Sequence, residues 1–196
     1  MYSRKETDRI RSLADAVITI AREPRMTAIK KRWADVNALR TPDRAPVWCR
    51  PVGCWQEIIT DDMLKCTHPS LRKLEYQFLQ IIHKRDIDDD QPVEDHFALG
   101  AVFDCEPKNI WGVDIGRHRP SEERGAWAYD PPLRTADDLD KLQHPTFTYC
   151  QEETQVRKAC LEELLGDILP VRVTAEPFLS ATLGTAAAEL RGLWSR

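Results

Sequence analysis

Two kinds of apolar pattern alternate along this chain, and their order constrains the fold more than any other feature. Short apolar runs that do not alternate with polar residues occupy positions 45–49, 97–103 and 168–174. Between and around them, apolar residues recur at three- and four-residue steps, the spacing of an amphipathic helix. A strand buried on both faces shows no alternation, and helices packed on both faces are what bury it. The order therefore predicts an α/β fold built on a parallel sheet.

The helical stretches can be placed in more detail. Ile10, Leu13, Val17 and Ile20 form one stripe, which Pro24 interrupts. Met26, Ile29, Trp33 and Val36 form a second, with Lys30, Lys31 and Arg32 on its solvated side, and Thr41-Pro42-Asp43 stops it. Residues 55–65 read as a short helix after the strand at 45–49. Thr67 is placed to cap the next helix, with Pro69 in its first turn. Leu71, Leu74, Phe78 and Ile81 or Ile82 give that helix its buried face, and Lys84 and Arg85 suit its C-terminal end. Positions 111–115 and 126–129 read as arms of an irregular antiparallel hairpin. Thr135 and Asp138 have the spacing of a capping box. Helices are expected over 152–165, closed by Gly166, and over 178–193, with a strand at 168–174 between them. The domain division expected from this order is a helical segment, 1–44, followed by the sheet domain, 45–196, with the hairpin inserted near 97–130.

Composition narrows the function. There are 28 Lys+Arg against 32 Asp+Glu, a formal charge of −4, which argues against general affinity for nucleic acid or an anionic membrane. Six cysteines are too few for a disulfide scaffold, so they are read as reduced thiols. The first ten residues are highly charged and lead into no signal-type apolar run. The longest uncharged stretch, 177–188, is too short to span a bilayer, which needs about 20 apolar residues. A cytoplasmic protein is expected.

In parallel α/β folds, ligands sit at the C-terminal ends of strands. After the first strand comes Arg50-Pro51-Val52-Gly53-Cys54-Trp55. An arginine at a strand tip can clamp a carboxylate bidentately, and Gly53 allows close backbone approach. The alternative is that Arg50 pairs with an acidic loop and the tryptophans are core. Asp86, Asp88, Asp89, Asp90, Glu94 and Asp95 form an acidic run that reads as solvated loop, although clustered carboxylates can raise one another's pKa or hold a cation. Glu176, after the last strand, is either a group facing the ligand or a helix N-terminal charge. The sequence has no C-x-x-C, no H-E-x-x-H, no P-loop, no G-x-S-x-G and no G-x-G-x-x-G, so no metal site is expected.

Pro46-Val47-Trp48-Cys49-Arg50-Pro51-Val52-Gly53-Cys54-Trp55 resembles the opening of the barrel in the uroporphyrinogen decarboxylase superfamily, where P-V-W precedes an arginine-containing turn. The likeness continues through Trp111-Gly112-Val113, Asp130-Pro131-Pro132-Leu133, Leu164-Leu165-Gly166-Asp167 and Ala175-Glu176-Pro177-Phe178, and so runs from about residue 26 to 193. It implies the N-terminal part of a TIM barrel, three to four β-α units of the eight. It also implies that Arg50, Gly53, Cys54, Trp55 and Glu176 bind an anionic, tetrapyrrole-like ligand. Cys54 stands where the family's turn has its second arginine, and Pro51 where it has glutamine. With the cationic turn halved, the resemblance favours methyl transfer involving a corrinoid over decarboxylation in porphyrin biosynthesis. A non-catalytic fragment or subunit is the third reading. No cofactor is expected within this chain, since corrinoid or zinc would belong to a full-length relative. A corrinoid protein, or a chain completing the barrel, would be its partner.

Overall fold

The N-terminal stripe folds as its spacing demands. In the computed structural model, which describes residues 2–51, 53–119, 121, 128–175 and 183–192, helix α1 runs Arg4–Ala21. The Ser3 hydroxyl accepts the Glu6 N–H at 3.3 Å, satisfying one of the helix's open donors. Its stripe of Ile10, Leu13, Ala14, Val17 and Ile18 is buried. Pro24 starts helix α2, Pro24–Asn37, at the one place where its missing N–H costs nothing.

A four-residue helix α3, Trp55–Ile58, and a 3₁₀ turn at Asp61–Met63 stand in place of the one longer helix expected there. Helix α4, Pro69–Asp86, is capped by His68 rather than Thr67: the His68 Nδ1 accepts the Ser70 N–H. Thr67 instead gives its N–H and hydroxyl to Glu6. Strands β1 (Phe97–Gly100) and β2 (Phe103–Glu106) divide the run expected as one strand. Beyond them come β3 (Gly116–His118), β4 (Ala128–Asp130), a capped 3₁₀ stretch at Ala136–Lys141, and β5 (Thr146–Tyr149). Helix α5 (Gln151–Leu165), β6 (Val171–Thr174) and α6 (Leu183–Arg191) follow.

The chain forms two compact units, 1–99 with 156–173 and 100–155 with 174–196. In the first, α1 packs on α4, and Ile10, Val17, Met26, Ile29, Leu71, Phe78, Leu165 and Leu169 belong to one apolar core. Phe97 donates its N–H to Pro170 O (2.7 Å), and Ala101 donates to Thr174 O (2.8 Å), so β1 and β6 run parallel. In the second unit, β2 pairs antiparallel with β5, with Phe103 opposite Tyr149 and Glu106 opposite Thr146. An antiparallel hairpin is present as β3 against β4, but its first arm is 116–118 rather than the expected 111–115, which form no strand, and its second is 128–130. Gly112, at φ +74°, lets the chain turn where a Cβ would lie 2.6 Å from Gln143 Cγ.

The class is mixed α/β, but one expected strand is missing. Residues 45–49 form no strand, and β6 pairs with β1 instead. The reason is local. Val47 and Trp48 are 55% and 49% exposed, so the apolar run is not a buried core strand. The N–H groups of Val47 and Cys49 are held by aspartate side chains, not by a neighbouring strand. The described strands form three two-stranded sheets in place of one larger parallel sheet. No helix among the described residues is long and apolar enough to cross a membrane.

Candidate functional site

The segment 44–50 lies along the turn that follows α4, and two aspartates fasten it there. The Asp90 carboxylate accepts four hydrogen bonds. Its Oδ1 takes Arg32 Nη1 (2.7 Å) and Arg44 Nη2 (2.8 Å), and its Oδ2 takes Arg44 Nη1 (2.5 Å) and the Val47 N–H (2.8 Å). The Asp90 N–H returns a bond to Val47 O at 2.8 Å, and Trp33 Nε1 donates to Asp90 O at 2.7 Å. Asp89 Oδ2 accepts the Cys49 N–H at 2.6 Å, and its Oδ1 accepts the Gln91 N–H at 2.5 Å. Asp88, at φ +58°, provides the left-handed turn that aims both carboxylates inward, a conformation aspartate tolerates better than most residues.

Burial alone would raise the pKa of Asp90, but the Arg44 hydrogen bond, the Val47 N–H and the two guanidinium charges outweigh it and hold the carboxyl below its ordinary value. Arg32 is buried, not solvated, because it must reach both this carboxylate and Asp43, which it clamps bidentately at 2.8 and 2.7 Å. That clamp brings the Asp43 pKa down to about 2. The acidic run is therefore not simply solvated loop: Asp89 and Asp90 are among the most buried polar side chains in the protein. Donors, rather than a neighbouring carboxylate, set the charge state of Asp90.

Trp48 stands at the outer end of this arrangement. It packs edge to face on Trp33, with ring centres 6.3 Å apart. Two cations approach its ring, Arg50 Cζ and Lys84 Nζ, each 5.1 Å from the centre, a distance at which ring and cation attract. Lys84 belongs to the last turn of α4, and its neighbour His83 meets Trp55 edge to face at 5.9 Å. The end of α4 thus gathers Trp48, Arg50 and Trp55.

The structure brings most of the expected site residues to one region. Arg50 is exposed, and its contact with Trp48 brings it to Lys84. Gly53 has φ +80°, and nothing lies within 4 Å of the point where a Cβ would stand, so its backbone is approachable. Cys54 and Trp55 are half-buried at the start of α3. Glu176 lies outside the described residues. The geometry corrects one expectation: Arg50 stands beside the C-terminal end of a helix, not at the mouth of a sheet, because the segment before it is not a strand. Lys84, Asp89 and Asp90 join the site. The sequence places Asp89 and Asp90 in the acidic run, read there as solvated loop, and Lys84 at a helix end, but no local pattern shows that they meet the segment 44–50.

A second cluster, Glu94, Asp95 and His96, brings three metal-ligating types together. Lys30 already pairs with Glu94, and His96 and Arg172 with Asp95, so those groups are engaged within the protein. All six cysteines are free thiols. Comparison with known proteins gave no match for this chain, neither to a family model nor to a curated protein nor to a solved structure.

Proposed function

We propose that the corner formed by Arg50, Trp48 and the end of α4 binds a carboxylate-bearing, ring-shaped small molecule of tetrapyrrole or corrinoid type. One observation carries this reading. Arg32, Arg44 and Lys84 each face a carboxylate, whereas no carboxylate pairs with Arg50 among the described residues. Its guanidinium leans on an exposed indole and is free to fork onto an incoming carboxylate. The flat face of Trp48 suits a planar ligand.

Within that reading, the chain is a uroporphyrinogen decarboxylase-like protein, with methyl transfer involving a corrinoid ahead of decarboxylation. Among the described strands only β1 and β6 run parallel, and four strands as well as α5 separate them along the chain, so the barrel side of the resemblance has a single parallel pair behind it. Calorimetric titration with a polycarboxylate porphyrin and with a corrinoid, on wild type and Arg50→Ala, tests the proposal. Loss of one charge-assisted contact should weaken binding about ten- to a hundredfold. Preference for the corrinoid favours methyl transfer, and preference for the porphyrin favours decarboxylation. Equal affinities in the two proteins, or no binding by either, would overturn the site and leave a non-catalytic role.

A further inference from the structure

The second unit holds a cavity of about 930 Å³ between β4, with the turn that follows it, and helix α6. Its walls are fastened to one another. Leu133, just beyond β4, donates its N–H to Leu190 O of α6 at 3.0 Å. Arg117 of β3 lies opposite Tyr129 of β4, with its Cζ 5.9 Å from the Tyr129 ring centre, and its Nη2 is 3.6 Å from a carboxylate oxygen of Glu189 on α6. The space stays open because the lining part of α6 is short of side chain: Gly184 has nothing within 4 Å of the point where a Cβ would stand, and Ala188 follows one turn later. The volume is that of a small-molecule site, for which about 300–1,000 Å³ is usual.

Hydrogen-bonding capacity in this cavity is one-sided. Arg134 and Arg191 line it, and neither guanidinium meets a carboxylate among the described residues. The Tyr129 and Thr185 hydroxyls line it too, and neither has a hydrogen-bond partner among the described residues. The carboxylate that the described lining residues supply, Glu189, is already engaged by Arg117. Two guanidinium groups and two hydroxyls therefore offer donors, while Gly184, Ala188 and Pro131 offer apolar surface. A ligand that satisfies both parts is an anion with several acceptor oxygens on a small apolar body. A phosphate monoester has three such oxygens and a charge of about −2, where a carboxylate has two oxygens and −1. We propose that this cavity binds a phosphate monoester of a small apolar alcohol, with Arg134 and Arg191 on the phosphate and the organic group against α6. The site shares no residue with the Arg50 corner.

Calorimetric titration of the full chain with phenyl phosphate, benzoate, inorganic phosphate and benzyl alcohol tests it, with amide NMR shifts to locate the bound probe. Phenyl phosphate should bind at least about tenfold more tightly than inorganic phosphate, which lacks the apolar body, and than benzyl alcohol, which lacks the charge. Benzoate should fall between. The amides of Gly184, Thr185 and Ala188 should shift. Arg134→Met and Arg191→Met should each weaken phenyl phosphate about tenfold or more, since each removes a charge-assisted contact, and should leave the melting temperature nearly unchanged because both side chains are exposed. Arg50→Ala should leave phenyl phosphate binding unchanged, which separates this site from the corner in the first unit. Inorganic phosphate binding as tightly as phenyl phosphate would mean an adventitious ion only and overturns the proposal. Full affinity in both arginine variants, shifts confined to segment 44–50, or no binding by phenyl phosphate overturns it as well, and benzoate binding more tightly than phenyl phosphate overturns the phosphate assignment.

Discussion

Replacing Asp90 by asparagine isolates the contact that holds segment 44–50 in place. Asparagine keeps one acceptor oxygen and puts an NH₂ group where Oδ2 now accepts from Arg44 Nη1 and the Val47 N–H. Two donors would then face a donor. Arg32 keeps its bidentate clamp on Asp43, and the half-exposed Arg44 can turn to water, which limits the damage. Breaking a buried ion pair costs about 3–5 kcal/mol, and with these two outlets about 3 kcal/mol is expected here. Urea unfolding should show the midpoint falling with the slope unchanged. Hydrogen exchange should show the Val47 and Cys49 amides losing protection well before the α1–α4 core. A loss below about 1 kcal/mol, with both amides as protected as in wild type, would falsify the view that Asp90 fastens this segment.

Three further outcomes concern buried groups and one tight turn. Glu75, fully buried, accepts from Arg9 and from the N–H groups of Lys65 and Cys66. Burial pushes its pKa up, but those donors win and hold it below 4.5. Its folded pKa is thus depressed, so its stabilisation is present above the unfolded value and drains away as pH falls through the folded one; Glu75→Gln should flatten that part of a pH–stability curve measured by urea midpoints. Burial, then the Glu75 charge, pushes the Cys66 thiol up to about 12, so in a thiol titration at neutral pH Cys66 should react only on unfolding, while the exposed Cys49 and Cys160 react at once. Gly112→Ala should destabilise the second unit by at least about 1 kcal/mol, since the new methyl meets Gln143 at a positive φ; an unchanged melting temperature would contradict this.

The helices are legible in the sequence because their stripes are long: Ile10 to Ile20 covers nearly three turns, and one face of α4 from Leu71 to Phe78 is enough to orient it. The strands are less so. Residues 45–49 have strand-like composition, but whether they pair depends on aspartates at least 40 residues away, which no local pattern reveals. β5, Thr146-Phe147-Thr148-Tyr149, gives little signal because it is short and largely exposed, and its pairing with β2 is decided by a partner about 40 residues back. The site is half visible. Arg50, Gly53 and Trp55 sit together in sequence, and Arg50 and Trp55 both reach the end of α4 in space. Arg32 and Lys84 read by charge as surface residues, yet each belongs to a helix face that turns toward Asp89 and Asp90. Buried ion pairs of this kind require both partners to be placed before either looks buried.

The first unit is discontinuous along the chain, and this has a bearing on how the protein is made. Leu164, Leu165 and Leu169 lie in the same core as Ile10 and Leu71, but residues 100–155, which belong to the other unit, are synthesised in between. During translation α1, α2 and α4 emerge with part of their apolar face uncovered, and it stays so until the strand at Val171–Thr174 has left the ribosome. At about 5–20 residues per second that interval lasts several seconds, long enough for a chaperone to bind. Closing so long a loop adds little to the equilibrium cost, which grows only logarithmically, but it slows the search for the native state. A chain shortened before residue 164 should therefore be a chaperone client rather than a smaller folded protein.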